Sequence, residues 1–166
     1  MDVPVRPARP GDGGAIGRIF VASARAAWAH FLPTDGLAAV SSPPERWRHA
    51  TGRQVVLVAE RDGQVVAFAV IRPSHDEGVD RASVGELDAF YALPSVWGLG
   101  VGRALMAATL DALRGQGFRA ATLWTAEQNQ RPRRIYQAAG WRLDGGHRRK
   151  TYLGVEFVEL RYRIAL

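Results

Sequence analysis

Between Pro94 and Arg103 three glycines alternate in the run Gly98-Leu99-Gly100-Val101-Gly102, and what flanks them restricts the fold sharply. The segment before, Ser83 to Leu93, alternates as a strand and is closed by Pro94. The segment after, Gly100 to about Gly115, places Met106, Leu110 and Leu113 on one apolar row. Val101, Leu105, Ala108 and Ala112 form a second row, and Gly115 and Gly117 stop the helix. Glycine tolerates positive φ and lets a backbone approach a ligand closely. The first amides of a helix lack internal partners and sit at the positive end of its dipole. A phosphate group could therefore rest on the amides from about Leu99 to Arg103. A nucleotide P-loop would need Gly-Lys-Ser/Thr, whereas Gly102 is followed by Arg103-Ala104. A dinucleotide fingerprint would need GxGxxG and an acid closing the next strand, and Thr125 stands there. Taken alone, the loop also fits a turn that merely packs a helix on a strand.

The other segments predict a mixed α/β sheet rather than regular βαβ alternation. Val3 to Ala8 reads as a strand, followed by a turn at Pro10-Gly11-Asp12 with Asp12 as a helix cap. A helix to about Phe31 carries Ile16, Ile19, Phe20, Ser23 and Ala27 on one stripe. A short helix is expected from Ser41 to near Gly52. Gln54 to Glu60 and Val65 to Arg72 are apolar runs joined across Asp62-Gly63, a hairpin signal. Ser74 to Arg81 is loop-like, and Arg119 to Thr125 is a strand. Pro132 to Ala139 is a short helix ended by Gly140, and strands at about Trp141 to Lys150 and Val155 to Ile164 complete the order. The 166 residues carry no repeat or linker and read as one domain, 1–166.

Composition removes several chemistries. There is no cysteine, so disulfides, thiolate metal sites and a cysteine nucleophile are excluded. His30, His49, His75 and His147 are scattered, and no metal site is expected. No segment approaches the roughly 20 apolar residues that span a bilayer, and the first residues lack the plan of a secretion signal, so cytoplasmic residence is the expectation. The net charge is +6, with clusters at Arg131, Arg133, Arg134 and at Arg148, Arg149, Lys150. Such clusters would serve nucleic acid, a phosphorylated cofactor or solubility equally well.

Two motifs together carry a resemblance. Trp97-Gly98-Leu99-Gly100-Val101-Gly102 matches a loop that reads Gln/Arg-x-x-Gly-x-Gly/Ala, and Asn129 stands seven residues before Tyr136, with Gly140-Trp141 closing the segment. In these the chain resembles the GNAT N-acetyltransferase family. The element order matches over nearly the whole length and the motifs over about 84–141. The resemblance implies a GNAT-like acyl-CoA N-acyltransferase fold, a mixed, mostly antiparallel sheet flanked by about four helices. It implies acetyl-CoA as cosubstrate and no metal. By that resemblance the amides from Leu99 to Arg103 hold the pyrophosphate. The backbone of Phe90 and Ala92 bonds the pantetheine arm and the acetyl carbonyl, Asn129 meets the pantetheine chain, and Tyr136 protonates the leaving thiolate. Arg133 and Arg134 are brought towards the cofactor. Two departures stand out: Trp97 replaces the usual Gln or Arg and removes a polar side chain, and Pro132 replaces alanine in a first helical turn, where it is compatible.

An amine must lose its proton before it attacks, and its pKa is about 10.4 for a lysine-like group. Alternation along 84–93 puts Glu86, Asp88, Phe90 and Ala92 on one face, the acids about 6.5–7 Å apart. Glu86 is the expected base, directly or through water, and Asp88 attracts or orients the amine. Plain solvent-facing acids fit equally well. The acceptor pocket is expected from 25–50, 74–82 and 148–155, with Trp28, His30, Phe31 and Trp47 as lining residues, and points to a small amine with an apolar part. Three rivals remain at this stage: a non-catalytic acyl-CoA-binding regulatory domain, favoured by Trp97, acetylation of a protein or peptide amine, and a nucleic-acid-binding module. The terminal strands could also pair across a homodimer.

Overall fold

The computed structural model describes residues 2–42 and 53–166. The helix expected from Ser41 to Gly52, with Trp47 and His49, lies for the most part outside the described residues. In chain order the elements are β1 (Val5–Pro7), α1 (Gly13–Trp28), α2 (Thr34–Ala38), β2 (Val55–Arg61), β3 (Gln64–Pro73) and β4 (Val84–Ala92). They continue with α3 (Val101–Gly115), β5 (Ala120–Ala126), α4 (Gln130–Ala138), β6 (Arg142–Tyr152) and β7 (Val155–Ala165). The seven strands form one sheet in the order β1-β2-β3-β4-β5-β7-β6, antiparallel except where β4 meets β5. Among the described residues no helix is long and apolar enough to cross a membrane.

Both faces of the sheet are covered, which is why β2 and β3 are apolar at nearly every position. On one face Leu57, Ala69, Ile71 and Leu87 pack against Val101, Leu105, Met106 and Leu113 of α3. On the other, Val56, Val58, Phe68, Val70 and Ala89 pack against Ile16, Ile19, Phe20 and Ala24 of α1. The hairpin at Asp62-Gly63 forms with φ of 51° and 75°, the left-handed pair that a two-residue turn demands. The short α2 has no forerunner in the sequence reading, because five residues holding one buried apolar side chain, Leu37, leave no periodicity to detect.

One expectation is overturned in β4. Val70 pairs with Ala89, but Ile71 pairs with Leu87, so Asp88 is an extra residue in a β-bulge. Strand parity changes there: Leu87 joins Phe90 and Ala92 on the α3 side, while Glu86, opposite Arg72, joins Ala89 and Tyr91 on the α1 side. Glu86 therefore does not share a face with Phe90 and Ala92.

Arg6 of β1 ties the start of α1 to the sheet. Its Nη1 lies 2.7 Å from Asp12 Oδ2 and its Nε donates to Glu60 Oε1 at 2.7 Å. The hydrogen bond from Arg6, and then that from the Arg9 amide, hold the Asp12 carboxyl below the usual range against a burial effect that raises it. A depressed carboxyl stabilises the fold above its unfolded pKa of about 3.9, and that contribution is lost as pH falls through the folded value. Thermal melts of Asp12→Asn should accordingly lie below wild type near neutrality and converge with it on acidification below about pH 4. A constant gap across pH would contradict this.

Candidate active site

β4 and β5 pair only from Val84–Ala120 to Glu86–Thr122, and then diverge although β4 runs on to Ala92 and β5 to Ala126. The divergence opens a cleft of about 1610 Å³ that cuts through the sheet, so both layers contribute to its walls. The backbone of β4 forms its edge. The Leu93 amide donates to Val66 O of β3, and alternation then turns the amides and carbonyls of Phe90 and Ala92 towards the cleft. The Ala92 carbonyl there accepts from Ser23 Oγ at 2.7 Å and from Trp97 Nε1 at 2.9 Å. Trp97 thus keeps a polar role, contrary to the expectation, by stapling the loop to the end of β4.

The glycine loop lies at the cleft's α3 end. Gly98 and Gly100 have φ of 81° and 86°, and a Cβ built at Gly98, Gly100 or Gly102 would meet nothing within 4 Å. Positive φ accounts for glycine at 98 and 100, while at Gly102 the missing side chain leaves the space above the backbone open. The first bond of α3 runs from the Ala104 amide to Gly100 O, which leaves the amides of Val101, Gly102 and Arg103 ahead of the helical ladder. The Leu99 amide is given to Val96 O at 3.3 Å. The Leu99 side chain is exposed and that of Val101 is buried in the core, so any contribution from either residue to a ligand is through backbone.

Asn129 and Tyr136 arrive from the opposite wall on α4 and the turn before it. Asn129 is buried, its Nδ2 donates weakly to Thr125 Oγ1 at 3.4 Å, and among the described residues its Oδ1 has no partner. A buried amide oxygen without a donor, beside open backbone amides, suits an extended chain bearing its own amide N–H groups, and the glycine loop suits the diphosphate at that chain's end. Tyr136 is buried against Phe90, ring centroids 6.2 Å apart, and among the described residues its hydroxyl has no hydrogen-bond partner. Burial, reinforced by Tyr91 and Tyr162, pushes its phenol far above the ordinary value. Pro132 sits inside the first turn of α4, where no amide is required.

Of the arginines, Arg103, Arg131 and Arg134 line the cleft from α3 and α4, and Arg148 lines it from β6. Arg133 does not serve it: its Nε donates to Tyr162 Oη at 3.0 Å and its Nη1 to Glu127 O at 2.8 Å. Helical spacing could have found this, since positions 131 and 134 share a face that 133 does not.

Across the cleft Trp28, Phe31, Tyr152 and Phe157 make an aromatic wall, with Trp28–Tyr152 and Phe31–Phe157 edge-to-face at 5.7 and 5.6 Å. His30 Nε2 lies 2.9 Å from Gln128 O. Glu86 and Asp88 share Arg72, whose Nη2 lies 3.4 Å from Glu86 Oε1 and 2.7 Å from Asp88 Oδ1. Glu86 Oε2 also accepts from the His75 amide at 3.1 Å. Arg148, Lys150 and Glu159 complete this side, and Glu159 binds both cations.

This fold is shared with solved acetyltransferase structures. A Salmonella typhimurium protein described as an acetyltransferase, solved with its cofactor acetyl-CoA, superposes with a TM-score of 0.78 at 20% identity, over 99% of this chain and 94% of that one. The model of the Acetyltransferase (GNAT) family matches residues 19–141, and the chain belongs to that family. A mycothiol acetyltransferase of Sanguibacter keddieii is 37% identical over 144 residues, 84% of this chain and 43% of the relative. An aminoglycoside N(6')-acetyltransferase type 1 of Stenotrophomonas maltophilia is 42% identical over 67 residues, 39% of this chain and 44% of the relative. The chain thus spans less than half the length of either.

Proposed function

We propose that this chain transfers an acetyl group from acetyl-CoA to a primary amine by direct attack while both are bound, and that the acceptor is a small molecule. The observation that carries the reading is convergence: the glycine loop, the edge of β4 beyond its pairing with β5, Asn129, whose Oδ1 has no partner among the described residues, and Tyr136 all line one cleft. Acetyl-CoA supplies the chemistry of an activated thioester. The chain has no cysteine to carry the acetyl group, and one continuous cleft reaches from the loop to the aromatic wall, which together favour transfer within a ternary complex over an acyl-enzyme.

In this scheme the amides of Val101, Gly102 and Arg103 receive the diphosphate, and Asn129 Oδ1 accepts from the pantetheine arm. The Ala92 amide donates to the acetyl oxygen and stabilises charge developing there. Tyr136 gives its O–H to the departing sulfur. Glu86 takes the amine proton through a water, because each of its carboxylate oxygens has lone pairs left after Arg72 and the His75 amide are bound. Asp88, more exposed, draws the cationic amine in. Glu86→Gln should lower kcat at neutral pH and remove an acidic limb from the pH–rate profile; an unaltered profile would take the base assignment from Glu86.

A small acceptor is supported by the aromatic wall and by the names of the two relatives, whose acceptors are small molecules. The cluster at Arg148–Lys150 is matched by Glu156 and Glu159, which weighs against a nucleic-acid surface. β6, the outer strand, is broken by an irregularity between Leu143 and His147 and carries charged side chains, features that discourage pairing with a second copy. The test is titration calorimetry with acetyl-CoA, CoA and ATP. Binding of both CoA species but not ATP is expected, followed by thiol release with a panel of amines. Failure to bind either CoA species would overturn the proposal, and binding without turnover on any amine would favour the regulatory alternative.

A further inference from the structure

Trp97 occupies the position at which related loops carry Gln or Arg, and its surroundings show what replaces the lost side chain. The indole is fixed by its bond to Ala92 O at 2.9 Å, which sets the ring at the end of β4 beside Gly98. Over that ring lies the guanidinium of Arg131, its Cζ 4.5 Å from the centroid. Arg131 comes from the opposite wall, in the first turn of α4, so the contact spans the cleft's mouth. The flat guanidinium stacks on an indole face in a way an ammonium does not reproduce.

Charge accounting separates Arg131 from the cations that a carboxylate already neutralises. Arg6, Arg72, Arg148, Arg149 and Arg161 each lie against a carboxylate. Among the described residues Arg131 has no carboxylate within ion-pair distance, and neither do Arg103 and Arg134 beside it. Three guanidiniums without a carboxylate partner among the described residues thus line the same cleft as Gly98, Gly100 and Gly102, and that of Arg131 lies over Trp97, next to Gly98 in the chain. Unmatched cations held around backbone amides call for a multiply charged anion.

We infer that Trp97 and Arg131 form a clasp across the cleft in which the indole holds the guanidinium over the glycine loop, so that Arg131 binds the diphosphate of CoA in place of a side chain at position 97. This rests on the proposed use of acetyl-CoA. It makes Arg131 a binding residue and Trp97 its positioning residue.

The experiment is calorimetry of wild type, Arg131→Ala, Arg131→Lys and Trp97→Phe with CoA and with dephospho-CoA, which keeps the diphosphate and lacks the 3′-phosphate, at two salt concentrations. Arg131→Ala should weaken both ligands by the same factor, about tenfold or more, the scale of one charged hydrogen bond. Raising salt should narrow the gap, and Arg131→Lys should recover part of the loss. Trp97→Phe keeps a ring but frees it from Ala92, and should fall between wild type and Arg131→Ala. Because Arg131 is exposed, its variants should melt with wild type. Unchanged affinity in Arg131→Ala, or a loss confined to CoA and absent with dephospho-CoA, would overturn the clasp's role. Wild type that binds neither ligand would instead overturn the acetyl-CoA reading itself, a separate outcome.

Discussion

Tyr136→Phe is expected to lower kcat by about 10²-fold or more, with little change in KM for acetyl-CoA and none in melting temperature. The ring, which fills the space between Phe90 and Tyr162, is retained, and the hydroxyl that is lost bonds to nothing among the described residues. A purely structural tyrosine would show the reverse, an altered melt and an unaltered rate. The raised phenol pKa refines the role. A group whose pKa is moved upward stays protonated below it, so Tyr136 holds its proton throughout the working range. A thiol titrates near 8.5, well below such a phenol, so complete proton transfer to the sulfur runs uphill. The favoured role is a fixed donor that hydrogen-bonds the departing thiolate. The wild-type pH–rate profile, followed by thiol release, should then lack a basic limb belonging to Tyr136 between pH 7 and 10. A limb in that window that vanishes in the phenylalanine variant would contradict this account.

The second large effect concerns stability. Trp141 is completely buried where α4 returns to the sheet, and its amide closes that helix by donating to Tyr136 O at 3.1 Å. Trp141→Ala should cost about 3–5 kcal/mol, a fall in Tm of about 6–20 °C for a chain of this size. Trp141→Phe should cost far less. The indole Nε1 is buried without a partner among the described residues, and its removal returns a desolvation penalty of about 1–3 kcal/mol that offsets the lost area. Thermal or urea unfolding checks both variants: each removes the N–H, but only alanine empties the ring's space, so a loss in Trp141→Phe as large as that in Trp141→Ala would contradict this account. Since Trp141 and Tyr136 share one core, the alanine variant should also lose activity through Tyr136, and the phenylalanine variant should retain it.

Much of this architecture is legible in the sequence because its signals are periodic or chemically obligatory. The stripe of Ile16, Ile19 and Phe20, the apolar rows of α3 and the Asp62-Gly63 turn each leave a pattern that only one local structure satisfies. The glycine loop is legible for the same reason, since positive φ at Gly98 and Gly100 restricts the residue type. The bulge at Asp88 is different. Gly-Glu-Leu-Asp-Ala-Phe alternates as smoothly as a regular strand, and the extra residue exists only relative to β3, so no local signal reveals that Glu86 faces α1. The indole of Trp97 escaped for a related reason: a hydrogen bond to Ala92 O five residues earlier depends on how the loop folds back. The assignment of Arg133 to the cofactor failed because Tyr162, its partner, is distant in sequence.

The doubly bonded Ala92 carbonyl has a consequence for how this chain tolerates change. Ser23 from α1 and Trp97 from the loop both donate to it, so losing either donor leaves the oxygen with a partner. The two positions therefore buffer one another: whichever is substituted first is cheap, and the same substitution made second strands a part-buried acceptor. Sequence drift at one site silently raises the cost at the other, and variants whose melting points look unchanged one at a time become incompatible when combined.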